Sequence, residues 1–357
     1  MTGDPEMYVG DIAEGVREAL AIGDAGVLEE ESPAPQTPTM AAASPCVIKV
    51  VGVGGGGGNT VNRMCGALAG QDTAIDFIAL NTDMQALAVS QAETTLQLGS
   101  DMQGRGLGAG GNPKAGREAA LRAERDIKPL VADTDLVFIT AGMGGGTGSG
   151  AAPVVAELAK SAGALTVGIV TRPFKFEGRR RSVQAEAAIE ELEKHVDILV
   201  VVSNDKLLQI VPDDLPLERS FAVADEILRQ GITGISDIIV KPGLINVDFA
   251  DVRAVMANAG PALMGIGTAS GAGRAKQAAI AAISSPLLDF PIEKAKGLVF
   301  TISGSSSLSL AEVNDVAEVL GYVASDDANI IFGTSVDESL GDTISVTVVA
   351  TSFDTDA

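Results

Sequence analysis

The sequence predicts an α/β protein in which a doubly wound parallel sheet is joined by a central helix to a smaller α+β domain. Short apolar runs alternate with helical patterns over the first part of the chain, which is typical of a parallel sheet covered by helices on both faces. An apolar pattern of helical spacing then extends over residues 221–240, enough for a helix of about 30 Å. The remaining residues mix helical and strand patterns, as expected of an α+β domain.

The elements of each part follow from these patterns. Strands of the parallel sheet are predicted at residues 47–53, 75–80, 136–139, 165–170 and 198–202. Beyond the long helix, helices are predicted at 274–284 and 310–322, and strands at 298–303, 329–334 and 343–351. The predicted division is an acidic, Pro-rich and Ala-rich disordered arm at 1–45, a first domain at 46–218, the central helix at 219–241, the α+β domain at 242–353 and a tail at 354–357.

Composition excludes several classes of function. A formal charge of -22 argues against nucleic-acid binding and against an anionic membrane surface, because both need clustered Lys and Arg. With only Cys46 and Cys65, neither a disulfide framework nor a thiolate metal site is expected. His195 is the only histidine, and a solvated helix end is favoured there over a triad or a zinc site. No apolar run approaches the roughly 18 residues of a membrane span.

The stretch from Gly142 to Gly150 reads GMGGGTGSG and lies between an apolar strand and a helix predicted at 151–162. Successive glycines let several backbone amides face one point, and a helix N-terminus adds partial positive charge there. The natural ligand of such a loop is phosphate. The alternative is a flexible or tightly turning loop.

A second glycine-rich loop follows the first strand. Gly52, Gly54 and Gly57 match the GxGxxG pattern of dinucleotide-binding folds, which on its own is a weak signal. Asn59 and Thr60 are expected to cap the next helix. No GK[ST] follows, so this is not a Walker A loop, and phosphate charge must be met by amides, other side chains and a metal.

Two more polar segments, NTD at 81–83 and GLGAGGNP at 106–113, extend the pattern. Pro113 suits the first turn of the next helix. The loops that follow parallel strands meet at one edge of a sheet, and several glycine-rich loops at that edge favour a nucleotide site over flexible loops.

Three sets of charged residues fit such a site, and each has a structural alternative. Residues 179–181 are three arginines that supply positive charge, while Glu177 is suited to ribose hydroxyls; the alternative is a solvated helix start. Asp225 is suited to the N1–H and N2–H donors of guanine, or to the dipole of a first helical turn. Asp248 and Asp251 have the spacing of an N-cap with a first-turn acid, which spacing alone favours, or orient a water for attack on phosphate.

Over about residues 46–353 the chain resembles the FtsZ family of tubulin-like division GTPases. The motifs that carry the resemblance occur in the family order: GVGGGGGN, NTD, GLGAGGNP, GMGGGTGSG, PFKFEG, SNDKLL and NVDFADV. The sequences at 179–185 and 257–271 are most similar to the plastid branch of the family, and bacterial members are also similar there. The resemblance implies that residues 46–218 form a GTP-binding domain.

The resemblance also implies a role for each matching residue. Phosphate contacts are implied for Gly55, Gly56, Gly57, Gly58, Asn59, Gly110, Gly111, Asn112, Gly144, Gly145, Gly146, Thr147 and Gly148. Ribose contact is implied for Glu177, phosphate contact for Arg181, and guanine recognition for Asn204, Phe221 and Asp225. Asn246, Asp248 and Asp251 match the synergy loop, which completes a neighbouring subunit's site.

Helix length supports the last of these assignments independently. If the base is held at Asp225, near one end of a helix of about 30 Å, then Asp248 and Asp251 lie near its far end. They cannot reach the same γ-phosphate and must act on a neighbour, so that hydrolysis requires head-to-tail assembly. A heterologous interface that does not close gives a filament.

The function expected from the resemblance is a GTPase activated by polymerisation into division-ring filaments, with GTP/GDP and Mg²⁺ as ligands. The expected partner is a second copy of the chain or a paralogue of the same family, and the expected location is the division ring of a bacterial cytoplasm or chloroplast stroma. The chain as given ends at Ala357 without the C-terminal peptide that docks membrane-tethering proteins, which places such docking in question. The alternatives are a weakly active regulatory paralogue and, from GxGxxG alone, a Rossmann-type NAD-dependent oxidoreductase.

Overall fold

A computed structural model describes residues 46–67, 75–99, 106–207, 217–240, 247–285, 295–325 and 327–353 of the 357-residue chain. The predicted acidic arm and C-terminal tail lie outside these ranges, as does Asn246. The backbone of Phe221 is described but its side chain is not.

Strands and helices alternate through the first part of the described chain. The strands are β1 (Ile48–Val53), β2 (Ile75–Asn81), β3 (Thr94–Gln97), β4 (Leu136–Gly142), β5 (Leu165–Arg172) and β6 (Ile198–Ser203). The helices are α1 (Gly54–Ala67), α2 (Met84–Ala88), α3 (Pro113–Arg122), α4 (Glu124–Val131), α5 (Thr147–Ser161), α6 (Arg179–Glu193) and α7 (Asn204–Leu207).

The second part begins with the long helix expected from the apolar pattern. Its described elements are α8 (Leu217–Val240), α9 (Phe249–Met256), β7 (Gly260–Ser270), α10 (Arg274–Ile283), β8 (Ala295–Gly304), α11 (Leu310–Val323), β9 (Asn329–Val336) and β10 (Thr343–Phe353). None of the helices in the described ranges has the length and hydropathy that crossing a membrane requires.

The described strands form one sheet in the order β3-β2-β1-β4-β5-β6-β7-β10-β8-β9. In this order the first seven strands, from β3 at the edge to β7, are parallel to one another. Strand β10 runs antiparallel to both β7 and β8, and β9 is parallel to β8. The β6–β7 pairing is short and joins Ile198 to Gly260, Leu199 to Pro261 and Val200 to Ala262. The predicted fold class, a parallel α/β sheet followed by α+β structure, is confirmed.

Alternation along the strands gives the sheet an apolar surface on each face. Ile48 and Val50 of β1 pack with α1, α8 and α9 on one face, while Val51 and Val53 pack with α3 to α6 on the other. Helices α10 and α11 cover β8 and β10 in a third cluster. Helix α8 crosses several strands closely, since a Cβ at Gly234 would lie 2.9 Å from the Thr347 side chain.

Two helix starts at the glycine-rich loops differ from those expected from sequence. Helix α1 begins at Gly54, so Asn59 and Thr60 lie inside it and do not cap it. The Thr60 hydroxyl instead donates to the Gly56 carbonyl at 3.2 Å, one turn back. Helix α5 begins at Thr147 and not at residue 151. The sequence predicts that both helices begin after their glycines. Close packing instead keeps these glycines helical despite their low helix propensity.

The start of α8 at Leu217 also changes the interpretation of Asp225. Asp225 lies more than two turns into the helix, where the helix dipole has little effect. The first-turn alternative for this carboxylate is therefore wrong. The prediction for Pro113 is confirmed, because it opens α3 with Asn112 as N-cap.

Candidate nucleotide-binding site

A cavity of about 310 Å³ opens where β1, β4, β5 and β6 end. This is the carboxyl edge of the parallel strands, where α/β sheets bind ligands. The residues that line it come from the two glycine-rich loops and from the segments after β5 and β6: Gly55, Gly56, Asn59, Gly142, Met143, Gly145, Gly146, Thr147, Gly148, Thr171, Pro173, Glu177, Arg181, Asn204 and Asp225.

Two helices begin side by side at this cavity, because glycine removes the atoms that would separate them. Gly54 starts α1 at a φ of +73°, and a Cβ there would lie 2.8 Å from the amide nitrogen of Gly148 near the start of α5. A Cβ at Gly56 would lie 2.9 Å from the amide nitrogen of Gly142. The first residues of both helices line this one cavity, and the amides and dipoles of helix starts suit an anion such as phosphate.

The glycines of these loops divide into those that face space and those that pack. A Cβ at Gly55 or Gly145 would meet no atom within 4 Å, as expected where a ligand approaches the backbone. A Cβ at Gly57 would instead lie 2.2 Å from the Thr140 carbonyl oxygen. Gly57 and Gly52 therefore allow α1 to pack closely against the sheet. These two positions of the GxGxxG match are explained by packing. Gly58 lines a smaller neighbouring cavity of about 60 Å³.

Gly144 shapes the 142–150 loop from within. Its φ is +90°, and its amide donates to the buried Ser149 hydroxyl at 2.8 Å. A Cβ there would lie 2.7 Å from the Arg181 carbonyl oxygen. The Gly144 amide is thus engaged inside the protein, unlike the phosphate contact expected from sequence.

The loop at 106–112 supports the cavity from behind. A Cβ at Gly146 would lie 2.9 Å from the amide nitrogen of Asn112 and 3.2 Å from that of Gly111. The Asn112 side chain accepts from the Lys114 amide at 3.1 Å. Gly110, Gly111 and Asn112 lie beside the 142–150 loop but are not among the lining residues. Thr82 also reaches this loop, where its hydroxyl lies 2.6 Å from that of Thr147.

The predicted ribose and phosphate contacts, Glu177 and Arg181, both lie at the cavity and pair with each other. Arg181 Nη1 lies 2.7 Å from Glu177 Oε2. The other oxygen, Glu177 Oε1, accepts from the Phe174 amide at 2.9 Å. The Arg181 side chain is half exposed and therefore free to move toward a bound anion.

Two side-chain acceptors line the cavity, Asn204 after β6 and Asp225 within α8. Asn204 is only 7% exposed, and its Oδ1 has no hydrogen-bond partner in the part of the chain that is described. A buried unpaired acceptor is costly, so one aimed at a cavity suits a ligand donor. Asp225 adds a carboxylate to the same lining, where Arg63 Nε donates to Oδ2 at 2.8 Å and the Thr60 hydroxyl to Oδ1 at 3.4 Å.

Burial raises the pKa of the Asp225 carboxyl, while the hydrogen bond and charge of Arg63 act in the opposite direction. Arg63 was not predicted from sequence. The available signal was its spacing, since i, i+4 from Asn59 places both on one face of α1. Met143, Thr171 and Pro173 were also missed, because nothing in their type distinguishes them from packing residues.

Asp251 lies in a separate cavity of about 370 Å³, with Val247, Ala254 and residues 329–332 of β9. Asp248 is the N-cap of α9 without a side-chain cap hydrogen bond, and Asp251 lies in the first turn. Along α8, Asp225 and Ile238 are separated by about 20 Å of helical rise, and Ile238 packs on Gly333 of β9. The acidic pair is therefore not brought to the nucleotide cavity of its own chain.

The parallel sheet, the paired glycine-rich helix starts and the buried acceptors together define a nucleotide-binding protein. Residues 47–212 match the GTPase domain of the Tubulin/FtsZ family, and residues 260–354 match the C-terminal domain of the FtsZ family.

Solved structures agree. An empty FtsZ dimer from M. jannaschii is 41% identical with a TM-score of 0.82 over 98% of this chain and 92% of that chain. A point mutant of FtsZ from M. jannaschii is 45% identical with a TM-score of 0.82 over 86% of this chain and 91% of that one. GDP-bound CetZ1 from Haloferax volcanii shares the fold, with 17% identity and a TM-score of 0.74 over 86% and 94% of the two chains.

The chain belongs to the FtsZ family, so the protein is a GTPase that binds GTP and GDP. The resemblance stated from the motifs is confirmed, and the oxidoreductase alternative is not favoured. The similarity to the plastid branch stays a prediction.

Proposed function

We propose that the protein assembles head to tail into filaments of a division ring and hydrolyses GTP where two subunits meet. The observation that carries this proposal is the separation of the two half-sites. The nucleotide cavity at Asp225 and the acidic start of α9 at Asp251 lie in different cavities of one chain. The M. jannaschii relative solved as an FtsZ dimer supports self-association.

The nucleotide's phosphates would lie against the amides of Gly55, Gly56 and residues 145–148 at the two helix starts. Arg181 would exchange its contact with Glu177 for a phosphate oxygen, which leaves Glu177 free to accept from ribose. Asn204 Oδ1 and the Asp225 carboxylate would accept from the N1–H and N2–H groups of guanine. Gly57, Gly58, Gly144 and the 110–112 loop would act by shaping this cradle, with Phe221 as an additional base contact.

A Mg²⁺ ion bound together with the nucleotide would supply positive charge that offsets the negative charge developing on the phosphates. The side chains that act in the chemical step would come from the neighbouring subunit. Asn246, Asp248 and Asp251 of the adjoining subunit would orient the attacking water at the γ-phosphate, a positioning role that needs no covalent intermediate. The proposed domain boundaries correspond to these roles. The nucleotide domain comprises residues 46–218 and the connecting helix residues 219–241. The domain that begins with the synergy loop comprises residues 242–353.

The first test is sedimentation and light scattering of the chain alone with GTP and Mg²⁺. Scattering should rise on addition of GTP and fall as GTP is consumed. Absence of polymer over a range of salt and protein concentration would overturn self-assembly. Polymer that forms only with a related chain would identify the regulatory paralogue instead.

The second test separates binding from turnover. Asp251→Ala should leave GTP affinity nearly unchanged and abolish turnover, because this carboxylate lies outside its own chain's nucleotide cavity. Asp126→Ala is the matched control, since Asp126 is likewise an acid in the first turn of a short helix, α4. Loss of GTP binding by Asp251→Ala would contradict the assignment in trans.

A further inference from the structure

A buried carboxylate at the edge of the sheet opposite the nucleotide cavity links α9 to the nucleotide domain. Asp197 immediately precedes β6, is 6% exposed and contacts three other parts of the chain through two hydrogen bonds and one ion pair. Its Oδ2 accepts from the Thr166 amide at 2.9 Å. Its Oδ1 accepts from the Asn258 amide and lies near the Lys160 ammonium, both at 3.2 Å.

Lys160 and Asn258 complete this link. Lys160 Nζ, at the end of α5, donates to the Val196 carbonyl and to Asn258 Oδ1, each at 3.0 Å. Asn258 lies in the turn between α9 and β7 at a φ of +53°, a conformation that asparagine tolerates better than most residues. Arg253 in the last turn of α9 donates to the Gly163 carbonyl at 2.9 Å. We call Lys160, Asp197, Arg253 and Asn258 the α9 clamp.

The clamp lies where the two halves of the sheet join. The short β6–β7 pairing begins at Ile198 and Gly260, directly after Asp197 and two residues after Asn258. The Gly260 amide also donates to the Asp197 carbonyl oxygen at 2.9 Å. A buried charge with several donors from different elements fixes their relative placement, because losing one partner leaves another group unsatisfied.

Helix α9 needs such fixing. It has only 8 residues, and the face that packs in the core is formed by Val252, Val255 and Met256. Apolar packing is non-directional and holds a two-turn helix against the sheet without defining its rotation. The clamp adds directional contacts at the end of α9 opposite to Asp248 and Asp251.

We infer that the α9 clamp positions Asp248 and Asp251 for hydrolysis of the neighbouring subunit's GTP. This inference rests on the proposed function. The clamp residues act through α9 and are positioning residues, since none of them lines the nucleotide cavity. A misplacement of about 1 Å in such a group lowers turnover by up to roughly 100-fold.

The experiment compares two lysine-to-methionine variants of the full chain. Lys160→Met removes the ammonium and its contacts with Asp197, Val196 and Asn258 but keeps an apolar stem. Lys128→Met is the control, because Lys128 pairs with Glu124 on the surface of α4, distant in sequence from the clamp. We expect Lys160→Met to bind GTP and assemble normally while turnover per assembled subunit falls about tenfold or more. Lys128→Met should match the unmodified chain.

A mixing experiment separates positioning from a general folding defect. Asp225→Ala chains lack a key base contact but keep an intact α9, whereas Lys160→Met chains have the opposite defect. An equimolar mixture should hydrolyse GTP faster than the sum of the two alone, because some interfaces combine an intact cavity with an intact α9. If Lys160→Met does not fold, Asn258→Gly replaces it, since glycine keeps the positive φ and the amide donor while losing the Oδ1 contact.

The outcomes distinguish the two proposals. If the unmodified chain shows no assembly-dependent turnover, the proposed function fails. If that turnover is present and folded Lys160→Met or Asn258→Gly retains it in full, the clamp inference is overturned. A mixture that gives only the sum of its components would also overturn it.

Discussion

At the scale of single residues, the Asp225 carboxylate makes the strongest prediction about pH. In the proposed function its charged form accepts hydrogen bonds from guanine, and burial raises its pKa above the ordinary value of 3.8. As pH falls through this raised pKa, the ionised fraction and therefore GTP affinity should fall. Arg63→Gln removes the group that opposes this rise, so the acid limb of the affinity profile should move to higher pH.

Equilibrium dialysis of GTP across a pH series measures this profile. Arg122→Gln is the control, because Arg122 forms an exposed ion pair with Glu118 on α3. An acid limb in the same place for Arg63→Gln and the unmodified chain would contradict the role given to Arg63.

The side chains that residue type or the family resemblance assigned to the site line the cavity more consistently than the assigned glycines do. Asn59, Glu177, Arg181, Asn204 and Asp225 all line the cavity. Polar groups at the ends of strands or on one helix face have few structural roles other than contact with a ligand. A glycine instead reports only that space is needed, and the sequence does not say whether ligand or chain occupies that space. The resemblance assigns Gly57 and Gly144 to phosphate, and a Cβ added at either position would meet protein atoms.

At the scale of elements, the crossing of α3 and α5 depends on glycine. A Cβ at Gly150 of α5 would lie 2.0 Å from the Pro113 carbonyl oxygen and 2.6 Å from the Arg117 amide nitrogen. Gly150→Ala should therefore destabilise the protein by about 1–3 kcal/mol, because backbone atoms must move. The same helices carry the loops behind the phosphate cradle, so GTP affinity should fall as well.

Gly321 provides the matched control, since it lies inside α11 and a Cβ there would meet no atom within 4 Å. Gly321→Ala should stabilise by up to about 1 kcal/mol through helix propensity alone. Thermal and denaturant unfolding measure both variants. Equal effects of the two substitutions would contradict the packing argument.

A second prediction at this scale concerns the tie between α10 and α11. Arg274 Nε lies 2.7 Å from Glu312 Oε1, and the Arg274 side chain is only 8% exposed. The hydrogen bond from Arg274 lowers the pKa of Glu312 from 4.5 to about 2. A lowered folded-state pKa contributes stability above pH 4.5, and this contribution is lost as pH falls from about 4.5 to about 2.

Denaturant unfolding of the unmodified chain and of Glu312→Gln across this pH range tests the sign. The unmodified chain should be more stable near pH 6, and the difference should shrink steadily as the solution is acidified. Glu118→Gln, in the exposed pair with Arg122, should cost little at any pH. A difference that grows on acidification would contradict the assignment.

Element types were predicted well because strand and helix periods differ, and the long pattern at 221–240 has one interpretation. Helix starts were predicted less well. Local rules end a helix at successive glycines, whereas α1 and α5 begin among them because close approach to the sheet and to each other outweighs propensity. Strand β3 and helices α2 and α4 were not predicted, since each is short and lacks a clear period. Strand β7 was not predicted either, because its three glycines and one proline interrupt the strand pattern.

At the scale of the whole molecule, net charge predicts how assembly should respond to salt. The chain carries a formal charge of -22, so approaching subunits repel one another. The screening length is about 30 Å at 0.01 M salt and about 10 Å at 0.1 M. Repulsion between whole subunits is therefore largely removed over this range, and the critical concentration for filament formation should fall as monovalent salt rises from 0.01 to about 0.1 M.

Sedimentation with GTP at fixed Mg²⁺ across this salt range measures the effect, with GTP affinity measured in parallel. Affinity should change less than assembly, because the proposed nucleotide contacts are backbone amides and Arg181, whereas assembly brings two whole charge distributions together. A critical concentration that is independent of salt would contradict the repulsion argument. A fall that follows a matching rise in GTP affinity would assign the effect to nucleotide binding instead.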